Sequence, residues 1–434
     1  MARTLTQKIL ARAAGRQHVE PGDIVWVKPD LITVPEVSFP AYIKRLRAIG
    51  IENLAAPETM VVAIDHEVPV HSLAAAQRNR LTRELARSTQ VGHLFDSEGI
   101  THPLVVERGL VSPGMFVIGA DTHTSAIGGT GALAMPFGME VTMPMARRDI
   151  WVKVPGTIRV RLTGLPCSGV GARDIVLAVL KSIPEELASH HVLEYCGDTL
   201  PHLSIAERMT IAGLSIDCGA ETGIIPIDAR GWHELKAHGA SALPGCNPDE
   251  QGFASVTSDP DATFDHEIEI DVSKLVPQVS IPPSPAHVRD ARDLAHIRIS
   301  HAYIGSCASG TLSELQSAAR LLEGRTIHPD VELLVIPATR RIHEQAMQDG
   351  TLNILMSAGA QIAPSTCGPC FGGIAQLDAS DVRISTSTRN DPGRMGSAQA
   401  QIYLGSALTV AASALTGHIT DVRSLPQPDP SASR

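Results

Sequence analysis

The segment Ile297-Arg-Ile-Ser-His-Ala-Tyr-Ile304-Gly305-Ser306-Cys307-Ala308-Ser309-Gly310 reads as a strand running into a turn of small residues. A helical pattern follows over 312–322. The alternation continues with a strand over 331–336, a helix over 340–348, a strand at Val382–Ser385 and an Ala-rich helix over 406–416. Strands alternating with helices predict parallel sheets with both faces covered, so the fold class is α/β. Upstream, Met60–Ile64 reads as a buried strand ending at Asp65-His66, and Phe116 opens a strand ending in Gly119-Ala120-Asp121-Thr122-His123-Thr124-Ser125. Polar residues beyond the carboxyl end of a strand lie where open α/β sheets place their ligands. Helices are expected over 5–14, 41–49, 71–88 and 174–183, with short strands after Glu20 and over 158–162.

A chain of 434 residues accommodates two or three domains, each with its own core. Pro282-Pro283-Ser284-Pro285 reads as a linker, since it cannot continue a helix or a central strand. Boundaries are therefore expected at 1–155, 156–281 and 288–434. A polar tail occupies 426–434. A hydrophobic content of 43% with 19% charged residues belongs to a soluble globular protein, and a net charge of −10 argues against nucleic acid as a general partner. No apolar run suits a membrane span, and the first residues lack the apolar stretch of a signal peptide. Seven cysteines, an odd number, do not form a disulfide framework, so a reducing cytoplasm is the expected setting.

Two of those cysteines stand in Ser365-Thr366-Cys367-Gly368-Pro369-Cys370-Phe371-Gly372-Gly373. Together with Cys307 they offer three thiolates, a set that suits an iron–sulfur cluster keeping one iron open for substrate. Arg389 and Arg394, on a turn sharpened by Pro392 and Gly393, suit a substrate with two carboxylates, because the guanidinium fork matches a carboxylate bidentately. Cys367-Gly-Pro-Cys370 also fits a thioredoxin-type redox pair, but that reading leaves Cys307 unexplained and needs the motif near the start of a small domain. Zinc spacing is absent. Cys167, Cys196, Cys218 and Cys246 read as small buried apolar residues. Gly129-Thr-Gly131-Ala-Leu-Ala134 approximates a dinucleotide fingerprint, yet it does not leave its strand directly and reads better as a glycine-rich, close-packed helix start. His66-Glu67 with His71 misses a zinc-protease helix by one residue and by Pro69. Lone histidines are most often structural, but His66 and His123 each lie beside a carboxylate that can set tautomer and pKa.

The chain resembles the large subunit of 3-isopropylmalate dehydratase and its relatives in the aconitase superfamily, homoaconitase and dimethylmaleate hydratase among them. The shared motifs are Pro35-Glu-Val-Ser38, Asp65-His66, Glu98-Gly-Ile-Thr-His102, Asp121-Thr-His-Thr124, Leu193-Glu-Tyr-Cys-Gly197, Ile304-Gly-Ser-Cys307, Cys367-Gly-Pro-Cys370 and Ser387-Thr-Arg-Asn-Asp-Pro-Gly-Arg394. The resemblance implies three α/β domains around a central cleft, without the swivel domain. It implies that Cys307, Cys367 and Cys370 hold a [4Fe–4S] cluster whose fourth iron acts as a Lewis acid on substrate.

By the same resemblance His66, paired with Asp65, protonates the leaving hydroxyl. Asp121 and His123 surround an iron-bound water, His102 pairs with an acid, Asp217, and Ser38, Arg389 and Arg394 bind substrate. The reaction implied is reversible dehydration of a 2- or 3-hydroxy dicarboxylate such as a substituted malate, in the cytoplasm. A separate small subunit carrying the swivel domain would supply the catalytic base, since no Gly-Ser-Ser-Arg motif occurs here. Several positions depart from the family pattern: Ala308-Ser309 replaces Thr-Asn, Thr388 replaces Asn, and Gly213 with Asp217 replaces an Asn and a longer acid. These departures support a second reading, a binding or regulatory protein that kept the family's fold and cluster but lost catalysis.

Overall fold

A computed structural model of the chain describes residues 2–426, so most of the polar tail lies outside the described residues. The chain divides into two compact units. One comprises Met1–Leu165 and Ile183–Asp271, the other Pro166–Ser182 and Val272–Arg434. This division differs from the boundaries expected at 155 and 281.

In the first unit a five-stranded parallel sheet has the order His93–Asp96, Met60–Ile64, Leu31–Pro35, Phe116–Gly119, Leu133–Pro136. Alternate residues of each strand serve opposite faces. Ile32, Val34, Met60, Val62, Phe116 and Ile118 enter one core, while Leu31, Val61, Ala63 and Val117 enter another. That double burial is why these strands read as unbroken apolar runs. A four-stranded parallel sheet, ordered Thr222–Ile224, His191–Cys196, Gly156–Thr163, His266–Asp271, and a ribbon pairing Ile24–Val27 with Ile150–Lys153 complete the unit.

The second unit holds a seven-stranded sheet. Its parallel part runs Gln401–Gly405, Val382–Ser385, His301–Ile304, Glu332–Val335, Gln361–Ile362. Gln278–Ser280, paired to Gln401–Gly405, and Val288–Asp290 beyond it extend the sheet as an antiparallel hairpin at one edge. Helices Leu312–Leu322 and Ala407–Thr416 pack on one face with the core around Ile304, Leu315, Leu333 and Val410.

Three expectations need correction. Pro282–Pro285 is the turn of the hairpin joining the two edge strands, not a linker; prolines suit this position because they end both ladders without removing a central hydrogen bond. Leu31–Pro35, the middle strand of the five-stranded sheet, was not expected at all. Of the four cysteines read as buried, only Cys218 is; Cys167 is exposed and Cys196 and Cys246 are half-buried. Among the described residues no helix is long and apolar enough to cross a membrane.

Candidate active site

The first unit gathers Glu36, Asp65, His66, Thr101, His102, Asp121, His123 and Asp217. Glu36, Asp65 and Asp121 each lie just past the carboxyl end of a neighbouring parallel strand, and Thr101 opens the helix following the edge strand. Parallel strands thus deliver Glu36, Asp65, Thr101 and Asp121 to the same end of the sheet, while Asp217 comes from the turn after helix Ile205–Leu214. Glu36, which sequence reasoning passed over as a functional residue, is fully buried and organises the turn beside it. Its carboxylate accepts from the backbone N–H groups of His66 at 2.8 Å, Glu67 at 2.7 Å and Asp65 at 3.2 Å. The only sequence signal for this role was its place in Pro35-Glu-Val-Ser38.

The His66 Nδ1 lies 2.7 Å from Asp65 Oδ1, while Asp65 Oδ2 accepts from the Thr101 backbone N–H at 2.8 Å and its hydroxyl at 2.6 Å. On its other side His66 Nε2 faces Asp121 Oδ2 at 3.7 Å. Burial by itself would lower the His66 pKa, but Asp65, Asp121 and Glu36 outweigh it and hold the imidazole well above its ordinary value. Burial pushes Asp65 upward, yet the charge of His66 and the hydrogen bonds from His66 and Thr101 bring it below the usual range. Asp121 is likewise drawn well below by His102 and His66 against the effect of burial. Glu36 moves upward through burial and the adjacent Asp65.

His102 was expected to pair with Asp217. The structure pairs it with Asp121 instead, Nε2 to Oδ1 at 2.9 Å, and the Asp121 Oδ1 also accepts from the His123 backbone N–H at 2.8 Å. It is His123 that faces Asp217, Nε2 to Oδ2 at 3.5 Å. Linear spacing could not separate the two pairings, because Asp217 arrives from a turn far along the chain. Ser38, half-buried, stands at the N-cap position of the helix Phe39–Ala48, two residues beyond Glu36, without a side-chain capping bond. Gly128 and Gly129 are in no dinucleotide loop. A methyl group on Gly128 would lie 1.9 Å from the Gly223 carbonyl oxygen, and one on Gly129 2.4 Å from the Met209 nitrogen.

In the second unit Cys307 follows the strand His301–Ile304, Cys367 stands at the N-cap of a one-turn helix at Gly368–Phe371, and Cys370 lies within that helix. All three thiols are buried and unbridged. Ser306 holds a φ of 93°, a strained value for a residue with a side chain. Its hydroxyl donates to the Thr386 carbonyl at 2.8 Å, which fixes the turn that aims Cys307. The Cys370 thiol lies 3.5 Å from the Thr388 hydroxyl, and a hydrogen bond with Cys367, with the charge of Arg394 assisting, holds it well below the usual thiol range. Arg394 Nε donates to the Cys370 carbonyl at 3.1 Å. Arg389 and Arg394 are both half-buried on the turn after Val382–Ser385.

Arg173 is a further member that sequence reasoning missed. From the helix Ala172–Ser182, fully buried, it donates to the carbonyls of Thr386 at 2.5 Å, Ser387 at 2.8 Å and Ala308 at 3.3 Å. It thereby ties the Cys307 turn to the segment carrying Thr388 and Arg389.

A model of the aconitase family (aconitate hydratase) matches residues 7–292 and 287–417. The chain belongs to the aconitase family. It is 38% identical to 3-isopropylmalate dehydratase large subunit 1 of Methanopyrus kandleri, over 98% of this chain and 99% of that one. It is 37% identical to the corresponding large subunit of a Sulfurihydrogenibium species over 96% of each chain, and 35% identical to that of Aquifex aeolicus, again over 96% of each. Like these relatives, the chain is a hydro-lyase large subunit. Among solved structures, Thermococcus kodakaraensis aconitase X in its holo-form aligns over 84% of each chain with a TM-score of 0.49 at 11% identity, too distant to add to the assignment.

Proposed function

We propose that this chain catalyses reversible dehydration of a hydroxy dicarboxylate of the substituted-malate class, using a [4Fe–4S] cluster on Cys307, Cys367 and Cys370 and a small-subunit partner. The observation that carries the reading is the trio of buried, unbridged thiols in a chain matched end to end with isopropylmalate dehydratase large subunits. The donor set fits the cluster. Three thiols, all within electrostatic range of one phenol, would leave a fourth iron without a protein ligand. When bound, such a cluster supplies a Lewis-acidic iron for the substrate hydroxyl and carboxylate.

The chain's own residues supply the rest. His66, kept protonated by Asp65, Asp121 and Glu36, gives its Nε2 proton to the departing hydroxyl. Asp65 and Thr101 fix the ring through Nδ1, so that Nε2 is the nitrogen turned toward Asp121. Asp121, shared by His66 and His102, stays ionised throughout and holds both rings in register. His123, set against Asp217, orients water. Arg389 and Arg394 bind carboxylates, with Ser38 contributing a hydroxyl. The partner, a small subunit, supplies the base that removes the proton from carbon. A reducing cytoplasm agrees with seven cysteines that form no disulfide.

The test is anaerobic reconstitution of the chain co-purified with the small-subunit protein encoded beside it, followed by assay of isopropylmalate, citramalate, dimethylmalate, homocitrate and citrate for alkene absorbance. Uptake of about four irons per chain is expected, abolished by Cys307→Ser, Cys367→Ser or Cys370→Ser and kept in Cys196→Ser. Turnover of at least one diacid is expected only with both subunits. Full activity from the large chain alone would refute the partner, and iron uptake by the Cys370→Ser variant would refute the ligand set.

A further inference from the structure

Tyr303 occupies the penultimate position of the strand His301–Ile304, four residues before Cys307. Its side chain is fully buried, and its hydroxyl has no hydrogen-bond partner within the protein. This is not a hydroxyl stranded at random in an apolar core. It presses against the turn that presents Cys307, where a methyl group on Gly305 would lie 2.5 Å from the phenolic oxygen. It is also within electrostatic range of all three thiols, Cys370, Cys367 and Cys307. A nearby cation, Arg383, directs its terminal nitrogens elsewhere, to the Ala375 carbonyl at 3.0 Å and the Met395 sulfur at 3.8 Å.

A buried O–H without an acceptor costs the fold the full desolvation of that group, about 1–3 kcal/mol. Buried polar groups are nearly always satisfied, so an orphan at a binding site points to a partner that arrives from outside. None of the three cysteine sulfurs accepts a hydrogen bond from the phenol in the protein alone. Thiolates and bridging sulfides of a bound cluster are negatively charged acceptors, and they would occupy the space these cysteines surround.

We infer that Tyr303 is a hydrogen-bond donor to a sulfur of the bound iron–sulfur cluster and thereby sets its reduction potential. The inference rests on the cluster reading above and adds to it a residue that neither ligates iron nor binds substrate. Hydrogen bonds to cluster sulfurs draw off negative charge and favour the reduced form. Tyr303 therefore raises the potential relative to the same site without the hydroxyl.

Tyr303→Phe removes only the oxygen. Wild type, Tyr303→Phe and the control Tyr403→Phe, whose hydroxyl donates to Gln401 at 3.1 Å, are reconstituted anaerobically with iron and sulfide. They are compared by redox titration followed by EPR and by resonance Raman after exchange into D₂O. Tyr303→Phe should take up as much iron as wild type, titrate at a more negative potential and lose the deuterium shift of the iron–sulfur stretching bands. Tyr403→Phe should match wild type. Equal potentials and equal deuterium shifts in all three proteins would overturn the assignment and leave the cluster reading intact; failure of wild type to bind iron would overturn both. Cluster-free protein gives an independent readout. There the substitution removes an unsatisfied donor, so Tyr303→Phe should melt no lower than wild type. A lower melting temperature would mean that the hydroxyl already has a partner in the empty fold, and the assignment would fall.

Discussion

A buried imidazole ordinarily gives up its proton, because a low-dielectric interior disfavours the charged form. His66 keeps its own because Asp65, Asp121 and Glu36 face it. Replacing Asp65 by Asn removes the nearest of these charges while leaving a group that can still hydrogen-bond. The His66 pKa then drops, and because His66 must be protonated to act as an acid, the alkaline limb of the pH profile of kcat/KM moves to lower pH. At pH 8 the loss in Asp65→Asn should be roughly a hundredfold or more, and smaller at pH 6. A profile displaced in height but not along the pH axis would show that Asp65 acts only by holding the ring in place. The same charges bear on folding. A histidine raised in the folded state contributes stability that is fully present below its unfolded value, near 6.5, and lost as pH rises through the folded one. Asp121, lowered instead, contributes stability above its unfolded value that is lost as pH falls through the folded one. Of these partners Asp65 was legible as the sequence neighbour of His66. Glu36 was not, since its role is to accept backbone hydrogens from a turn thirty residues away, which no local pattern reveals.

At the scale of elements, periodicity identified the strands Met60–Ile64, Phe116–Gly119, His301–Ile304 and Val382–Ser385, because strands covered on both faces are continuous apolar runs, whereas the short helices at Thr101–Glu107, Ser215–Cys218 and Gly368–Phe371 were not anticipated. Leu31–Pro35 escaped because its five residues include Thr33 and end on a proline, which reads as an interruption. Pairing shows why that proline is tolerated: Pro35 is the last residue of its strand, and the missing N–H falls at the end of the ladder. The glycine run after Asp121 reads as a close-packed helix start, but it closes a 3-10 helix at Thr130 and leads into the strand Leu133–Pro136; its packing is backbone on backbone. Helix Ile205–Leu214 lies so near that Gly129 has no room for a side chain. Gly129→Ala should therefore cost about 3 kcal/mol, at the upper end for overpacking, because the atoms in the way are main-chain and cannot rotate aside. Gly171→Ala, with nothing within 4 Å of its added carbon, should be near neutral. Denaturation midpoints of the two variants check this; equal midpoints would mean the helix shifts freely and does not lock the His123 turn.

For the whole molecule, the decisive feature is how the chemistry is divided. The carboxylate–histidine pairs lie in one compact unit, the cluster cysteines and both arginines in the other. Each unit has hydrophobic clusters of its own. A ligand that binds only the folded state stabilises what it touches by mass action, so the cluster should stabilise the second unit in particular. Within it, the reach of that effect follows Arg173, which links the Cys307 turn to residues 386–387, and Thr388, which touches the Cys370 thiol. Hydrogen exchange on cluster-free and anaerobically reconstituted protein should show added protection at 304–310, 366–373 and 384–390. The amides at 60–67 and 116–124 in the first unit should exchange at unchanged rates in the absence of substrate. Arg173→Met should abolish the protection gained at 384–390 while leaving iron bound through the cysteines, because methionine fills the space without donating to the three carbonyls. Protection spreading evenly over both units would mean the cluster stabilises the chain as one body, and an unchanged pattern in Arg173→Met would mean that the guanidinium does not transmit the effect.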